Sequence, residues 1–128
     1  MIEKINLNNI LFLDIETVPE YDSYLGMDEE TKKLWESKTQ YQRRDEVSPE
    51  DFYERAGIWA EFGKIVCISV GFVVDNDGEN GIRLKSFYNH DESVLLEEFS
   101  ELLNNHFSSP QHILCGHNAK EFDFPFIA

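Results

Sequence analysis

The sequence predicts an α/β fold, and three observations carry this prediction. Apolar runs of strand length occur near residues 8–16, 63–75 and 112–118. Residues 82–88 alternate between apolar and polar side chains, as a partly exposed strand does. Residues 89–107 carry leucines and phenylalanines at helical spacing. The predicted order is therefore strand, helical insertion, strand, strand, helix and strand, all within one small domain.

Length and composition also limit the classes of function. The chain has 128 residues, of which 41% are hydrophobic, so it can bury one core and is globular. The net charge of −14 opposes nucleic-acid binding through a basic surface, so a metal ion or another part of the molecule would have to offset the repulsion. No run is long enough to span a membrane, and no signal peptide opens the chain. Cys67 and Cys115 match no zinc pattern, which indicates reduced thiols and a cytoplasmic protein.

The first strand, within "NILFLDIETVP", runs from its apolar residues directly into two acids. Because side chains on a strand alternate between faces, Asp14 and Glu16 should project from the same face as Phe12, about 7 Å apart. One interpretation is that the strand ends at Leu13 and the acids lie at a solvated rim. The other is a metal site, because carboxylates at the end of a buried strand are costly unless a partner offsets their charge. Mg²⁺ and Mn²⁺ prefer such oxygen ligands.

The segment after the first strand is predicted to be a polar helical insertion at about residues 20–57. One helix is expected around residues 28–44. A second should begin at Ser48, with Pro49 in its first turn, and end near Gly57. Farther along the chain, Asn89 and Glu92 are expected to form a capping box at the start of the helix in 89–107.

The pattern Asp-x-Glu occurs twice more, and both cases have structural explanations. Asp28 and Glu30 open a solvated helix, and Asp77 and Glu79 lie in a hairpin turn. The turn also resembles the start of a calcium loop, but the glycine and the final glutamate of an EF-hand are missing there. We therefore assign no metal to either pair.

A second acidic motif lies in "CGHNAKEFDFPFI", residues 115–127. Pro125 suits the first turn of a helix, so Asp123 should lie just before a helix N-terminus. Alternatively, Asn118 and Glu121 could form a capping box, but Pro125 would then interrupt that helix. Taken alone, Asp123 is best explained as an ordinary helix-start acid. If the strand near residues 112–118 lies beside the first strand, it brings a third carboxylate to the same edge.

Together, "LFLDIETVP" and "GHNAKEFDFPFI" resemble the motifs of the proofreading-type 3′–5′ exonucleases with four acidic ligands, the DEDD group. The similarity is to bacterial exonucleases related to the proofreading domain of family B DNA polymerases. The segment "AEFGKIVCISVGF" is also similar to the region between these motifs. The resemblance implies a ribonuclease H-like fold, a mixed sheet with flanking helices. Strands one to three would be antiparallel, and strand four would lie parallel beside strand one.

The resemblance also implies a two-metal hydrolysis at the 3′ ends of single-stranded DNA, with Mg²⁺ or Mn²⁺. It implies that Asp14 bridges both ions, that Glu16 binds one of them, and that Asp123 holds the second through water. Three residues are implied in substrate binding: Thr17, Asn118 and Phe122.

The family has a third motif, with a tyrosine or histidine and a fourth aspartate, that is not found before Ala128. We therefore expect residues 1–128 to be the N-terminal part of one longer domain, which is inactive alone and could self-associate through the edge of strand four. Two alternatives stay open. The protein could be another ribonuclease H-like nuclease or strand-transfer enzyme, or a non-catalytic interaction domain of the same fold.

Overall fold

A computed structural model describes residues 5–43 and 47–128 of the chain. The chain divides into two compact units. The first consists of Met1–Glu16 with Ile65–Ala128, and the second is Thr17–Lys64, which includes the segment predicted as an insertion. No helix among the described residues is both long and apolar enough to cross a membrane.

Four strands form one mixed sheet in the order β3-β2-β1-β4. The strands are β1 Ile10–Pro19, β2 Gly63–Asn76, β3 Glu79–Tyr88 and β4 Ile113–Cys115. Strands β2 and β3 pair antiparallel, and β4 pairs parallel with β1, so that Cys115 lies beside Phe12. The predicted α/β class, with a mixed sheet and flanking helices, is confirmed. The helices are α1 Glu29–Thr39, α2 Pro49–Phe52, α3 Glu92–His106 and α4 Asp123–Ile127.

Strand β1 has one buried face and one exposed face, because apolar and polar residues alternate along it. The buried face carries Leu11, Leu13 and Ile15. The exposed face carries Phe12, Asp14 and Glu16. The prediction of a strand over residues 8–16 is wrong at both ends. A 3-10 helix, capped by the side chain of Asn6, occupies Leu7–Asn9, and the strand continues to Pro19.

Helix α3 covers the buried face of the sheet with Leu95 and Phe99, and the ring of Phe99 meets that of Phe87 edge-on at 6.1 Å. The predicted capping box is wrong. Asp91 is the N-cap, and its carboxylate accepts the N–H of Ser93 at 2.9 Å. The carboxylate of Glu92 instead accepts the backbone N–H of Ile65.

The second unit has its own aromatic core around Trp35. Helix α1 ends at Thr39, earlier than predicted, and the chain then turns, with the N–H groups of Gln42 and Arg43 donating to the Thr39 carbonyl. Residue 44, the predicted end, lies outside the described residues.

The second predicted helix of this unit starts as expected and ends differently. Ser48 caps it through the N–H of Asp51 at 3.1 Å, and Pro49 is its first residue. The α-helix ends at Phe52 and continues as the 3-10 helix Tyr53–Ile58. Gly57 therefore lies inside the last turn of the 3-10 helix, and the prediction that it follows the helix as the C′ residue is wrong. It permits close packing, because a Cβ there would lie 3.2 Å from the backbone of Val18.

Candidate metal centre on the first strand

Asp14 and Glu16 project from the exposed face of β1, as their spacing predicts. The interpretation that the strand ends at Leu13 is wrong, because β1 continues past both acids. The two carboxylates therefore lie on a regular β-strand, and the apolar side chains on the other face of β1 pack into the core. Both are exposed and can be reached by a cation from solvent.

The turn after β4 lies directly against the backbone of β1. A Cβ on Gly116 would come within 2.8 Å of the Leu13 carbonyl oxygen and of Ala119 Cβ, so the approach requires a residue without a side chain. Asn118 then adopts a left-handed backbone with φ 51°, and its carbonyl accepts the N–H groups of Glu121 and Phe122. The alternative of a capping box from Asn118 is wrong, because the helix begins only at Asp123.

Asp123 is the first residue of α4 and is only 3% exposed. Its Oδ2 accepts the buried backbone N–H of Ile15 at 3.1 Å. Ile15 is the residue between Asp14 and Glu16, so a third carboxylate reaches the strand that carries the first two. The helix-start position of Asp123 is thus as predicted, and its side chain makes a tertiary contact as well.

Asp123 lacks a compensating positive charge in the described part of the chain. The ion pairs found there join Lys32 with Glu29 and Lys38 with Glu61, and neither involves Asp123. A buried carboxylate is costly unless hydrogen bonds and an opposite charge offset its lost hydration. The backbone N–H of Ile15 offsets only part of this cost, and a bound cation would offset the rest.

The described residues do not bring three metal-ligating side chains together. Within residues 5–43 and 47–128, no group of three His, Cys, Asp or Glu side chains could hold one ion. Asp14 and Glu16 lie on the open face of β1, whereas Asp123 is hydrogen-bonded to the backbone of that strand. The three-ligand centre stays a prediction.

The residues implied in substrate binding lie in three different environments. Thr17 is half-buried on β1, and Asn118 is exposed in the turn after β4. Phe122 is half-buried and packs on the core of the first unit, with its ring 5.6 Å from that of Phe126. Packing therefore accounts for Phe122, and its contact with substrate stays a prediction.

No protein-family model, curated protein or solved structure matches this chain. The resemblance to the exonucleases therefore depends on the sequence motifs alone.

A shallow depression, not predicted from the sequence, lies beside Asp14 on the exposed face of the sheet. It measures about 340 Å³, and Phe12 and Gly71 are among its lining residues. Ser69 and Ser86 also line it, and their hydroxyls are hydrogen-bonded at 3.0 Å. Only the register of β2 against β3 brings these serines together, so spacing along the chain could not have identified them.

The other two Asp-x-Glu pairs have structural roles. Asp28 is the N-cap of α1 and accepts the N–H of Thr31 at 2.7 Å. This backbone N–H, together with the Thr31 hydroxyl, holds the pKa of Asp28 below its ordinary value. Asp77 lies in the turn between β2 and β3, with a positive φ of 51°.

Replacing Gly116 with alanine should destabilise the chain by about 1–3 kcal/mol, the usual cost of overpacking. The new methyl group would collide with backbone at Leu13, which cannot rotate away as a side chain can. Gly26→Ala is the matched control, since its Cβ would meet nothing closer than 3.7 Å. Urea denaturation of both variants measures the difference. Equal stabilities would contradict the close approach of this turn to β1.

Proposed function

We propose that this chain carries the metal-binding acids of a 3′–5′ exonuclease that hydrolyses DNA from its 3′ end. The observation that carries the proposal is the hydrogen bond from Ile15 N–H to Asp123 Oδ2. It brings the acid of the second motif to the strand that holds both acids of the first motif. Without that contact, Asp123 would be an ordinary helix-start residue.

The chemistry of these residues fits a divalent metal ion. Asp14 and Glu16 offer exposed carboxylate oxygens on one face, and Asp123 offers a buried carboxylate with a single backbone donor. Carboxylate oxygens are the ligands that Mg²⁺ and Mn²⁺ prefer. Bound ions would stabilise the charge that develops during phosphodiester hydrolysis. They would also counter the repulsion between a chain of net charge −14 and a phosphate backbone.

The depression beside Asp14 supports a nucleotide as the group that approaches the acids. Its volume of about 340 Å³ is within the usual range for small-ligand pockets. The partly exposed ring of Phe12 offers a surface on which a base can stack, and stacking of this kind is independent of sequence. The serine hydroxyls at its border can donate to sugar or phosphate oxygens.

A second candidate function is a non-catalytic interaction domain. The specific observation in its favour is that no three metal-ligating side chains converge among the described residues. Such a domain would bind its partner without any requirement for Asp14. The effect of Asp14→Asn on DNA hydrolysis distinguishes the two functions.

The test is to incubate the whole natural protein with Mn²⁺ and single-stranded DNA, with a label on either end. We expect stepwise release of nucleotides from the 3′ end. Asp14→Asn should slow this release by at least about 100-fold, because losing a residue that merely supports a ligand already costs roughly 10- to 100-fold. Asp77→Asn, in an exposed turn, is the matched control for loss of one carboxylate. No release by the wild type, or equal rates for Asp14→Asn, would overturn the proposal.

Asp14→Asn should leave the metal-free protein as stable as the wild type, or more stable. The carboxylates of Asp14 and Glu16, about 7 Å apart, repel by about 2 kcal/mol at an effective dielectric of 20, and less where water screens them. Removing one charge relieves this repulsion, but it should also abolish stabilisation by Mn²⁺. Thermal unfolding with and without Mn²⁺ measures both effects. A large loss of stability without metal would show that the aspartate is structural.

A further inference from the structure

A groove of about 470 Å³ lies between β3 and the C-terminal part of α3, away from the acids of β1. Its floor is apolar, formed by Phe72, Leu102 and Phe107. The rings of Phe72 and Phe107 meet edge-on at 5.8 Å, so the floor is packed. Three basic side chains line the same groove: Arg83, Lys85 and His106.

The charge of this groove is opposite to that of the whole molecule. The chain has a net charge of −14, yet the β3 segment "GIRLKSFY" contains Arg83 and Lys85 and no acid. These two residues lie two apart on one strand and therefore share a face. Both are exposed, and the Lys85 ammonium lies 4.9 Å from the centre of the Phe87 ring on that face.

The other face of β3 carries a row of exposed apolar side chains. Ile82, Leu84 and Tyr88 are 72%, 81% and 75% exposed. Strand β3 is also the edge of the sheet, paired on one side with β2. In the described part of the chain no other strand pairs with it. Residues 82–88 of β3 thus combine an open backbone edge, a basic row and an apolar row.

We propose that the edge of β3 binds an extended acidic peptide of a partner protein, which adds to the sheet as a fifth strand. Main-chain hydrogen bonds to the open edge would supply affinity, and alternate side chains would supply specificity. Glutamates on one face of the peptide lie opposite Arg83 and Lys85. Apolar residues on the other face lie against Ile82 and Leu84.

Charge complementarity favours this occupant over the alternatives. A second copy pairing antiparallel through the same edge, in the register centred on Leu84, would place Arg83 opposite Lys85 of the other copy, which is destabilising. A nucleic-acid strand offers phosphates to the basic row, but it has no backbone amides to pair with the carbonyl groups of the edge. An acidic peptide offers carboxylates to the basic row and backbone N–H and carbonyl groups to the edge.

The experiment uses a seven-residue peptide of alternating valine and glutamate, blocked at both ends and titrated into the isotopically labelled chain. We expect the amide signals of residues 82–88 to shift. The double variant Arg83→Glu with Lys85→Glu should bind at least about tenfold more weakly, since reversing the charges turns attraction into repulsion. Lys33→Glu, an exposed charge reversal on α1, should bind as the wild type does. Thermal unfolding of each variant verifies that it folds.

Two modified peptides test the backbone pairing and the charge complementarity separately. The same peptide with methylated backbone nitrogens should not bind, because it cannot pair with the edge. The peptide with lysine in place of glutamate should bind at least about tenfold more weakly than the glutamate peptide. Equal binding of either control would overturn the proposal, as would no binding of the glutamate peptide. Arg83 and His106 line the groove but not the depression beside Asp14, so shifts of these two residues caused by oligothymidine but not by the peptide would overturn it in favour of nucleic acid.

Discussion

Replacing Trp35 with alanine should lower the free energy of unfolding by about 3–5 kcal/mol, the range for deleting a large buried aromatic residue. Trp35 is completely buried at the centre of the aromatic core of Thr17–Lys64. Its ring meets those of Phe62 and Tyr53 edge-on at 4.9 and 5.6 Å. Its Nε1 also donates to the Pro49 carbonyl at 2.8 Å, which ties α1 to the start of α2.

Two further variants divide this effect into its causes. Leu34 lies next to Trp35 on α1, but it is 56% exposed. Leu34→Ala should therefore lower the free energy of unfolding by no more than about 0.5 kcal/mol. Trp35→Phe keeps most of the packing and loses the hydrogen bond, so we expect an intermediate loss. Urea denaturation, monitored by circular dichroism, ranks the free energies of unfolding of the three variants. A loss for Trp35→Ala as small as that for Leu34→Ala would contradict a core built around this ring.

The elements that the sequence predicted well depend on local periodicity. The alternation along β1 correctly placed Asp14 and Glu16 on the face opposite Leu13, because side chains of a strand alternate regardless of what packs on them. The start of α2 was also correct, since Ser48 and Pro49 act within one helical turn. Such features need no knowledge of the rest of the fold.

The errors concern residues whose partners are distant in sequence or equivalent in chemistry. Asn89 and Asp91 can both act as an N-cap, and Asp91 does so, while Asn89 accepts the N–H of Asp91. Glu92 was expected to cap its own helix, but its carboxylate accepts an N–H on β2. Asp123 was expected at the edge of the first strand, but its hydrogen bond to Ile15, 108 positions away in sequence, was not. Spacing cannot predict such a contact, because it depends on the turn at Gly116 lying against β1.

The structural role of Asp123 and its proposed metal-binding role can be separated by comparing Asp123→Ala with Asp123→Asn. Alanine leaves the buried N–H of Ile15 without an acceptor, which should cost about 1–3 kcal/mol in the metal-free protein. Asparagine keeps a carbonyl oxygen near the position of Oδ2, so the N–H keeps a partner and the loss should be less than about 1 kcal/mol. Urea denaturation without metal measures this structural role.

The metal-binding role should give a different pattern, because an amide oxygen carries no charge for a cation. Asp123→Asn should therefore lose stabilisation by Mn²⁺ as completely as Asp123→Ala, although only alanine destabilises the metal-free fold. In the whole natural protein, both variants should lower the rate of 3′ nucleotide release by at least about 100-fold, by the same reasoning as for Asp14. If Asp123→Asn retains the full effect of Mn²⁺ and the full rate, Asp123 acts only through the Ile15 N–H, and it is a structural acid rather than a ligand.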